Sequence, residues 1–499
     1  MLCNGFCIKI VFVDFYAVII IFINVLISYA PMILFKIAHK EKVKITEGDN
    51  MQVLTFKRGV HPPDGKALTA DCPVKVILPK EDSELFFPMS QHIGAPCEPI
   101  VQKGDYVKVG QKIGEAKGFV SSPIFASISG TVTDIRPVLT PGGTKSLAVV
   151  IKNDGLMAEV EGLNEPKDYR NMTNEEICAV IKEAGVVGLG GAGFPTQVKL
   201  APPKDQKIEY ILVNAAECEP YLTCDYRLMI EEPQRLIDGL KIVLQLFPEA
   251  KGVIGIENNK PEAIRVLSEL CANEDRIEVA TLQAKFPQGS EKHLIKAITG
   301  REVPSGALPS AVGCIVDNVD TLIAIERAFL KGRPLMRRII TISGNAAANP
   351  GNYKIRLGMT FADLMEQIGG FKEEPAKLIA GGPMMGPSMY TLDVATTKTS
   401  SALLCFDKQE AYIPEESSCI RCAKCLNHCP MGLMPYLLNA AALREDGDAF
   451  VANHGLDCIE CGSCSYICPA KRQLAQSIRA TKKIEMGKKA AAAAAAAKK

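Results

Sequence analysis

The chain has almost no charge imbalance: 57 Lys and Arg against 56 Asp and Glu over 499 residues leave a formal net charge of +1. That excludes a general nucleic-acid binder, whose footprint is a basic excess gathered on one face. Long apolar runs are nearly absent as well. The longest is residues 15–35, FYAVIIIFINVLISYAPMILF, which carries no charge and is about the length that crosses a hydrocarbon core. One such run cannot build a multi-helix pore, so this chain is not itself an ion channel or pump. Nor is it a small disulfide-stapled protein. Its eighteen cysteines are unevenly placed in a long chain. Eight fall in two short blocks, and others such as Cys97, Cys178, Cys271 and Cys314 sit among core-like residues and read as buried thiols. That usage implies a reducing compartment.

What is present is enough for three to five domains. Residues 1–50 read either as an upstream extension ahead of a start at Met51 or as a membrane anchor. Lys36, Lys40, Lys42 and Lys44 follow the apolar run, so an anchor would leave the remaining chain in the cytoplasm. Residues 51–88 form an N-terminal segment. Residues 89–160 alternate short apolar stretches with glycine, the punctuation of an all-β module, with turns expected at Pro99, Gly104, Gly110, Gly114 and Gly130. The pattern resembles a barrel-sandwich (lipoyl- or biotinyl-type) domain, and Lys117 reads as a solvated turn lysine rather than a modification site.

Residues 165–335 have α/β texture. Ile177, Val180 and Ile181 mark a helix face with Asn174 as its expected cap. KIEYILVNAAE reads as a buried strand with a site at its carboxyl edge. Residues 336–402 read as strand, turn, strand, helix and a further strand, and resemble the β-grasp SLBB module, with Met384 and Met385 as packing residues. Residues 405–475 hold the cysteine blocks. Residues 476–499 are a Lys/Ala-rich tail that either extends the last helix or stays disordered.

The cysteine blocks, CIRCAKCLNHCP and CIECGSCSYICP, both follow the C-x2-C-x2-C-x3-C-P ligand run of bacterial ferredoxins. Three thiolates two residues apart can wrap one cubane from a single tight loop. The fourth cysteine starts a segment leaving in another direction and serves the neighbouring cluster. The pairing predicted is Cys419, Cys422, Cys425 and Cys468 around one [4Fe–4S] cluster, and Cys458, Cys461, Cys464 and Cys429 around the other. Zinc sites use paired C-x2-C groups instead. Two clusters make a wire, which carries single electrons and completes no chemistry alone.

The glycine loop GLGGAGFPT, residues 188–196, follows a predicted helix and so is not a Rossmann fingerprint. On its glycines alone it is a tight turn, or a loop that lets backbone amides approach a phosphate or a flat ring. Lys199 follows at phosphate reach. VNAAECEP then sets Asn214, Glu217 and Glu219 at a strand end, either as a solvated acidic turn or as partners for ribityl or ribose hydroxyls.

These segments, with FPQGSEKHLI and VDNVDTL in order after them, resemble the FMN- and NADH-binding subunit of respiratory complex I. With the barrel-sandwich module ahead, the SLBB module and ferredoxin block behind, and the opening LTFKRGVHPPDGKALT, the chain looks like a C subunit of the Rnf electron-transport complexes. The resemblance spans roughly residues 53–480. It implies a multidomain α/β and α+β protein: barrel-sandwich hybrid, complex I 51-kDa-like FMN/NADH-binding domain, SLBB β-grasp domain and a 2×[4Fe–4S] ferredoxin domain. It implies noncovalent FMN, NAD(H) as substrate, and the two clusters. By motif it assigns Gly188, Gly190, Gly191, Gly193 and Lys199, then Asn214, Glu217 and Glu219, then Phe286, Gly289 and Glu291, and Asn318. No catalytic acid or base is implied, since hydride chemistry belongs to the flavin. Departures from complex I are Leu189 for an arginine, Ala216 for a carboxylate and Ser290 for a glutamate.

The implied partners are the other Rnf subunits, membrane-embedded and ferredoxin-facing, with ferredoxin itself reached indirectly and Na+ or H+ moved by those partners. The implied location is the cytoplasmic face of the membrane, peripheral. A soluble flavin-dependent corrinoid reductase of the same architecture is the alternative, although its barrel-sandwich module is expected later in the chain. A flavin-free two-cluster adaptor is the third reading.

Overall fold

The structure, a computed structural model, describes residues 52–496; the expected extension or anchor over residues 1–50 lies outside the described residues.

The all-β module is built from two antiparallel sheets. One orders Glu84–Pro88, Lys145–Asn153, Gly130–Leu139 and Tyr106–Val107, and the other Glu98–Pro99, Lys112–Glu115 and Ile124–Phe125. Between them Leu85, Phe87, Ile113, Ile128, Val132 and Ile151 are buried. Gly104 and Gly110 take the left-handed turn conformations expected of them, with φ of 95° and 87°. Pro99 and Gly114 do not form turns. They face each other across paired strands, and Gly114 is small because a Cβ there would sit 3.0 Å from Met89 Sδ. Lys117 is exposed and pairs with Glu98 at 2.7 Å.

The α/β module follows. Its strands β1 (Tyr210–Ala215), β2 (Lys251–Glu257), β3 (Ile277–Leu282) and β4 (Cys314–Asn318) form one parallel sheet in the order β3-β2-β1-β4. Continuous apolar runs suit strands covered on both faces. The helices are α1 (Asn174–Glu183), α2 (Thr196–Lys199), α3 (Cys224–Glu231), α4 (Pro233–Leu246), α5 (Pro261–Cys271), α6 (Glu291–Thr299) and α7 (Val319–Leu330). The cap of α1 is Thr173 rather than Asn174. Thr173 Oγ1 accepts from the Glu176 amide at 3.2 Å while the Glu176 carboxylate accepts from the Thr173 amide at 2.7 Å. This reciprocal box satisfies two free amides at once, which a single Asn cannot do. Asn174 is the first helical residue, and its amide reaches Leu246 O at 3.2 Å.

The sheet's order places its switch point between β1 and β4. Asn214 and Asn318 are register partners at the carboxyl ends of these two strands. In an open α/β sheet the crevice outside that point is where a ligand fits.

A six-stranded mixed sheet comes next, with Arg337–Ser343, Gly351–Arg356, Lys377–Ala380 and Ala402–Phe406 at its centre and helix Phe361–Gln367 packed on it. Its apolar face shares one core with the all-β module. The cysteine-rich region folds as short helices around Leu438, Ala441, Phe450 and Ile478. The final helix is Leu474–Ala496. Its alanine run continues the helix because alanine has the highest helix propensity. Among the described residues, no helix is long and apolar enough to cross a membrane.

Candidate functional site

The carboxyl ends of β1 and β4 gather most of the residues expected at the site. The glycine loop closes on itself through Gly188 N–H to Phe194 O at 2.9 Å. Leu189 turns inward, fully buried, with its amide on Thr321 Oγ1 at 2.9 Å and its carbonyl accepting from Arg338 at 3.1 Å. Gly190 passes so close to Asn318 that a Cβ would lie 2.8 Å from its amide nitrogen. Gly193 has φ 74°, and a Cβ there would meet Thr399 at 2.8 Å. By contrast, a Cβ on Gly191 would meet open space. The amides of Gly190, Gly191 and Ala192 have no acceptor among the described residues, and Gly190 and Gly191 are exposed. The loop is therefore braced from behind and open in front.

Lys199 lies beside the loop, its Nζ 4.0 Å from where a Cβ on Gly188 would sit. Its ammonium donates to Val316 O at 2.6 Å and Asp317 at 3.3 Å. Burial opposes its charge, but Asp317 and then Glu291 outweigh that and keep it cationic. Glu291 opens α6, and burial raises its carboxyl.

Asn214 donates to Gly289 O at 2.7 Å, and Gly289 N–H donates to Cys218 Sγ at 3.2 Å, so the 286–291 loop is clasped onto the end of β1. Glu217, at φ 49°, turns back to accept from the Asp225 amide at 2.7 Å. Glu219 accepts from the Met384 amide at 3.1 Å. Burial pushes Glu219 up to about 7. Phe286 is 1% exposed and packs with Val60, Cys461 and Met384.

Sequence reasoning misses four residues here. Lys66, buried, donates to the carbonyls of Glu217 at 2.9 Å and Glu219 at 3.0 Å and also reaches Leu222, pinning the acidic turn. Lys260 holds Ala216 O at 2.6 Å. Asp225 accepts from Asn318 Nδ2 at 2.6 Å, and burial, then Glu217, push it up to about 7. Gln288 is fully buried with neither amide atom bonded. Nothing in their sequence neighbourhoods singles them out.

Several buried polar atoms near the strand ends have no hydrogen-bond partner: Glu217 Oε2, Glu219 Oε1, Asp317 Oδ2, Thr196 Oγ1 and both ends of Gln288. Folded proteins leave few such atoms unmet. Their concentration at a crevice behind a glycine loop suits a ligand rich in hydroxyl and amide-like groups.

The two cysteine blocks repeat one backbone path. Arg421 and Ala423 have φ of 54° and 57°, and their counterparts Glu460 and Gly462 have φ of 58° and 77°. Left-handed residues interleaved in this way turn successive amides toward one point, a concavity for an anion. Cys429, Cys458, Cys461 and Cys464 line a single cavity with Leu433 and Ile459. Burial raises all four thiols, Cys458 to about 11. Cys425 and Cys468 pack together with Cys464 in a second cluster of side chains, and Cys419 acts electrostatically on Cys425. Cys419 and Cys422 are exposed, whereas Cys429, Cys461, Cys464 and Cys468 are buried. Cys461 touches the group formed by Phe286 and Met384, so the first set lies on the side of the strand-end crevice.

Family comparisons agree with this layout. Residues 54–156 match the RnfC barrel sandwich hybrid domain, residues 181–327 the Nuo51 FMN-binding domain, residues 339–388 the SLBB domain and residues 411–469 the 4Fe-4S dicluster domain. The chain is 46% identical to the C subunit of the proton-translocating ferredoxin:NAD(+) oxidoreductase complex of Clostridium ljungdahlii, over 85% of this chain and 93% of that one. It is 45% identical to the Na(+)-translocating counterpart of Acetobacterium woodii, over 87% and 98%. The C subunit of the ion-translocating oxidoreductase complex of Haemophilus influenzae is 38% identical over 78% of this chain and 59% of its own length.

Proposed function

Because the chain belongs to the RnfC family, the C subunits of the ion-translocating ferredoxin:NAD+ oxidoreductase (Rnf) complexes, we propose that its strand-end crevice holds FMN and NAD(H) and that its eight block cysteines hold two [4Fe–4S] clusters in series. It is an electron-transfer component of an oxidoreductase and translocase complex, and the other Rnf subunits are its partners. FMN when bound accepts a hydride's two electrons and releases them singly, as the clusters require.

The chain's own residues bind and position. The open amides at Gly190 and Gly191 face a phosphate or ring edge, and Gly188 and Gly193 shape the loop that presents them. Asn214, Glu217, Glu219 and Gln288 offer polar groups, several of them unmet, that ribityl hydroxyls and a flavin edge would satisfy. Lys199 acts from below by holding Asp317, Glu291 adds to the field that keeps Lys199 cationic, and Asn318 sets the floor under Gly190. Phe286, with Met384, excludes water between the crevice and Cys461. Leu189 and Ala216, both buried, leave nicotinamide recognition to backbone and amide groups rather than to charge.

Cys429, Cys458, Cys461 and Cys464 hold the flavin-side cluster. Cys419, Cys422, Cys425 and Cys468 hold the outer one, whose exposed ligands face the next carrier. The modules that do this work are the barrel-sandwich domain at residues 89–160, the flavin domain at 165–335, the SLBB domain at 336–402 and the ferredoxin domain at 405–475. The protein sits peripherally on the cytoplasmic face of the membrane, where partner subunits oxidise ferredoxin and move Na+ or H+.

The observation that carries this reading is the group of buried polar atoms without hydrogen-bond partners at the β1/β4 switch point, next to the packed bridge to Cys461. The test is anaerobic reconstitution with iron, sulfide and FMN followed by NADH. Stoichiometric flavin that bleaches with NADH supports it. Protein that takes up clusters but no flavin is a two-cluster adaptor instead.

A further inference from the structure

On the far side of the α/β module lies a second pocket, of about 480 Å³, at the C-terminal end of α7. Asn318 caps the other end of that helix, and 12 residues at 1.5 Å each separate the two ends by roughly 18 Å. The pocket is therefore distinct from the flavin crevice. Arg235, Arg327, Lys331 and Arg333 line it with Asn164 and Leu330, and no carboxylate does.

The nearby carboxylates are already engaged. Glu232 and Glu326 hold Arg235 at 2.7 and 3.1 Å, Glu159 holds Arg333, and Asp320 holds Arg338. Arg327 has no side-chain hydrogen-bond or ion-pair partner among the described residues. Behind it stands Arg337, 6% exposed, whose Nη1 reaches Asp320 at 3.5 Å, whose Nε and Nη2 lack hydrogen-bond partners and whose Nη2 lies 3.9 Å from Glu232. Burial, then the guanidiniums of Arg337 and Arg235, push Arg327 down to about 9, the mark of a charge without compensation. The α7 C-terminus offers only about half a negative charge, too little to offset Arg327 and Lys331. A protein does not gain stability by crowding an unpaired guanidinium, that of Arg327, against others. Such crowding suits an anion supplied from outside, and a guanidinium's fork matches phosphate oxygens two at a time.

We propose that this pocket binds a phosphate-bearing anion, a diphosphate or a phospholipid headgroup, with Arg327 as its principal contact. The volume exceeds what one inorganic phosphate fills, and the open mouth admits a group attached to something larger.

The experiment uses the FMN- and cluster-loaded protein at low salt, with inorganic pyrophosphate in a calorimetric titration and vesicles with and without phosphatidylglycerol in a flotation assay. Arg327→Gln and Lys331→Gln are compared with the wild type. Pyrophosphate binding that Arg327→Gln weakens by about tenfold or more, the value of one charge-assisted contact, assigns a soluble diphosphate. Flotation with phosphatidylglycerol vesicles that Arg327→Gln abolishes, without pyrophosphate binding, assigns a headgroup. In either case Lys331→Gln weakens binding less, NADH-dependent flavin reduction is unchanged, and the ligand-free Tm of Arg327→Gln is equal to or above the wild type's. The proposal is overturned if the wild type binds neither probe, if Arg327→Gln binds as the wild type does, or if its ligand-free Tm falls by several degrees, which would make Arg327 structural.

Discussion

The amide of Met384 donates to the carboxylate of Glu219 at 3.1 Å, and this bond joins the acidic turn after β1 to the glycine-rich loop after strand Lys377–Ala380. The same loop reaches the ferredoxin region: a Cβ on Gly462 would lie 2.8 Å from Met384 O. The loop of the β-grasp module thus contacts both the acidic turn after β1 and the cysteine-rich region.

Gly190 and Gly191 should respond differently to a single methyl group. Gly190→Ala clashes with Asn318, so it should lower Tm and weaken FMN together. Gly191→Ala meets no protein atom, so it should leave Tm within about 1 °C while reducing FMN affinity about tenfold or more. Flavin fluorescence titration with thermal melts of flavin-free protein decides this. Unchanged affinity in Gly191→Ala removes the loop from the flavin site.

Asp225 gives the flavin-free protein a pH dependence. Its folded carboxyl titrates near 7, above its usual value of 3.8, so the folded state holds the extra proton between those limits. That contribution to stability is complete below the lower value and is lost as pH rises through about 7. The loss is on the order of 2–4 kcal/mol. Denaturant melts from pH 4.5 to 8 should show it, and Asp225→Asn should flatten the curve. Equal slopes in both proteins would contradict the assignment.

Lys398 is a buried clamp between modules. It is fully buried, burial pushes its ammonium down to about 7, and it donates to Pro123 O at 2.6 Å, Gly185 O at 2.7 Å and Ser122 Oγ at 3.2 Å. Lys398→Met keeps the volume and strands those acceptors, and should cost roughly 2–5 kcal/mol. Chemical denaturation measures it. A change below about 0.5 kcal/mol would mean that the modules dock without it.

The crossed ligand sets are separable by mutation. Cys468→Ser should remove the outer cluster and Cys429→Ser the flavin-side one, each halving the iron content. If Cys468→Ser instead disturbs the signal that Cys458→Ser disturbs, the sets are not crossed.

Much of this was legible because the signals are local. The cysteine blocks carry the dicluster signature in their spacing, and the apolar run YILVNA forms the covered strand it reads as. The capping box at Thr173 lay one residue before the expected cap because Glu176, not Asn174, decides it. Pro99 and Gly114 misled because glycine also appears in strands where a neighbour, here Met89, leaves no room for a side chain. Lys66 was out of reach for another reason. It meets Glu217 across 151 residues of sequence, and nothing near it marks a buried ammonium. The arginine pocket is also invisible in sequence, since its members, from Asn164 to Arg333, come from three separate segments.

The most direct test of the serial order is anaerobic rapid mixing of NADH with FMN-loaded wild type and Cys461→Ser, following flavin absorbance and freeze-quenched cluster EPR signals. The account predicts that in the wild type flavin bleaches first and both cluster signals follow. In Cys461→Ser flavin should still bleach at the wild-type rate while the outer cluster, though assembled, stays oxidised on that timescale. Prompt reduction of the outer cluster in that variant would show that electrons bypass the Cys429, Cys458, Cys461 and Cys464 site, and the proposed order would be wrong.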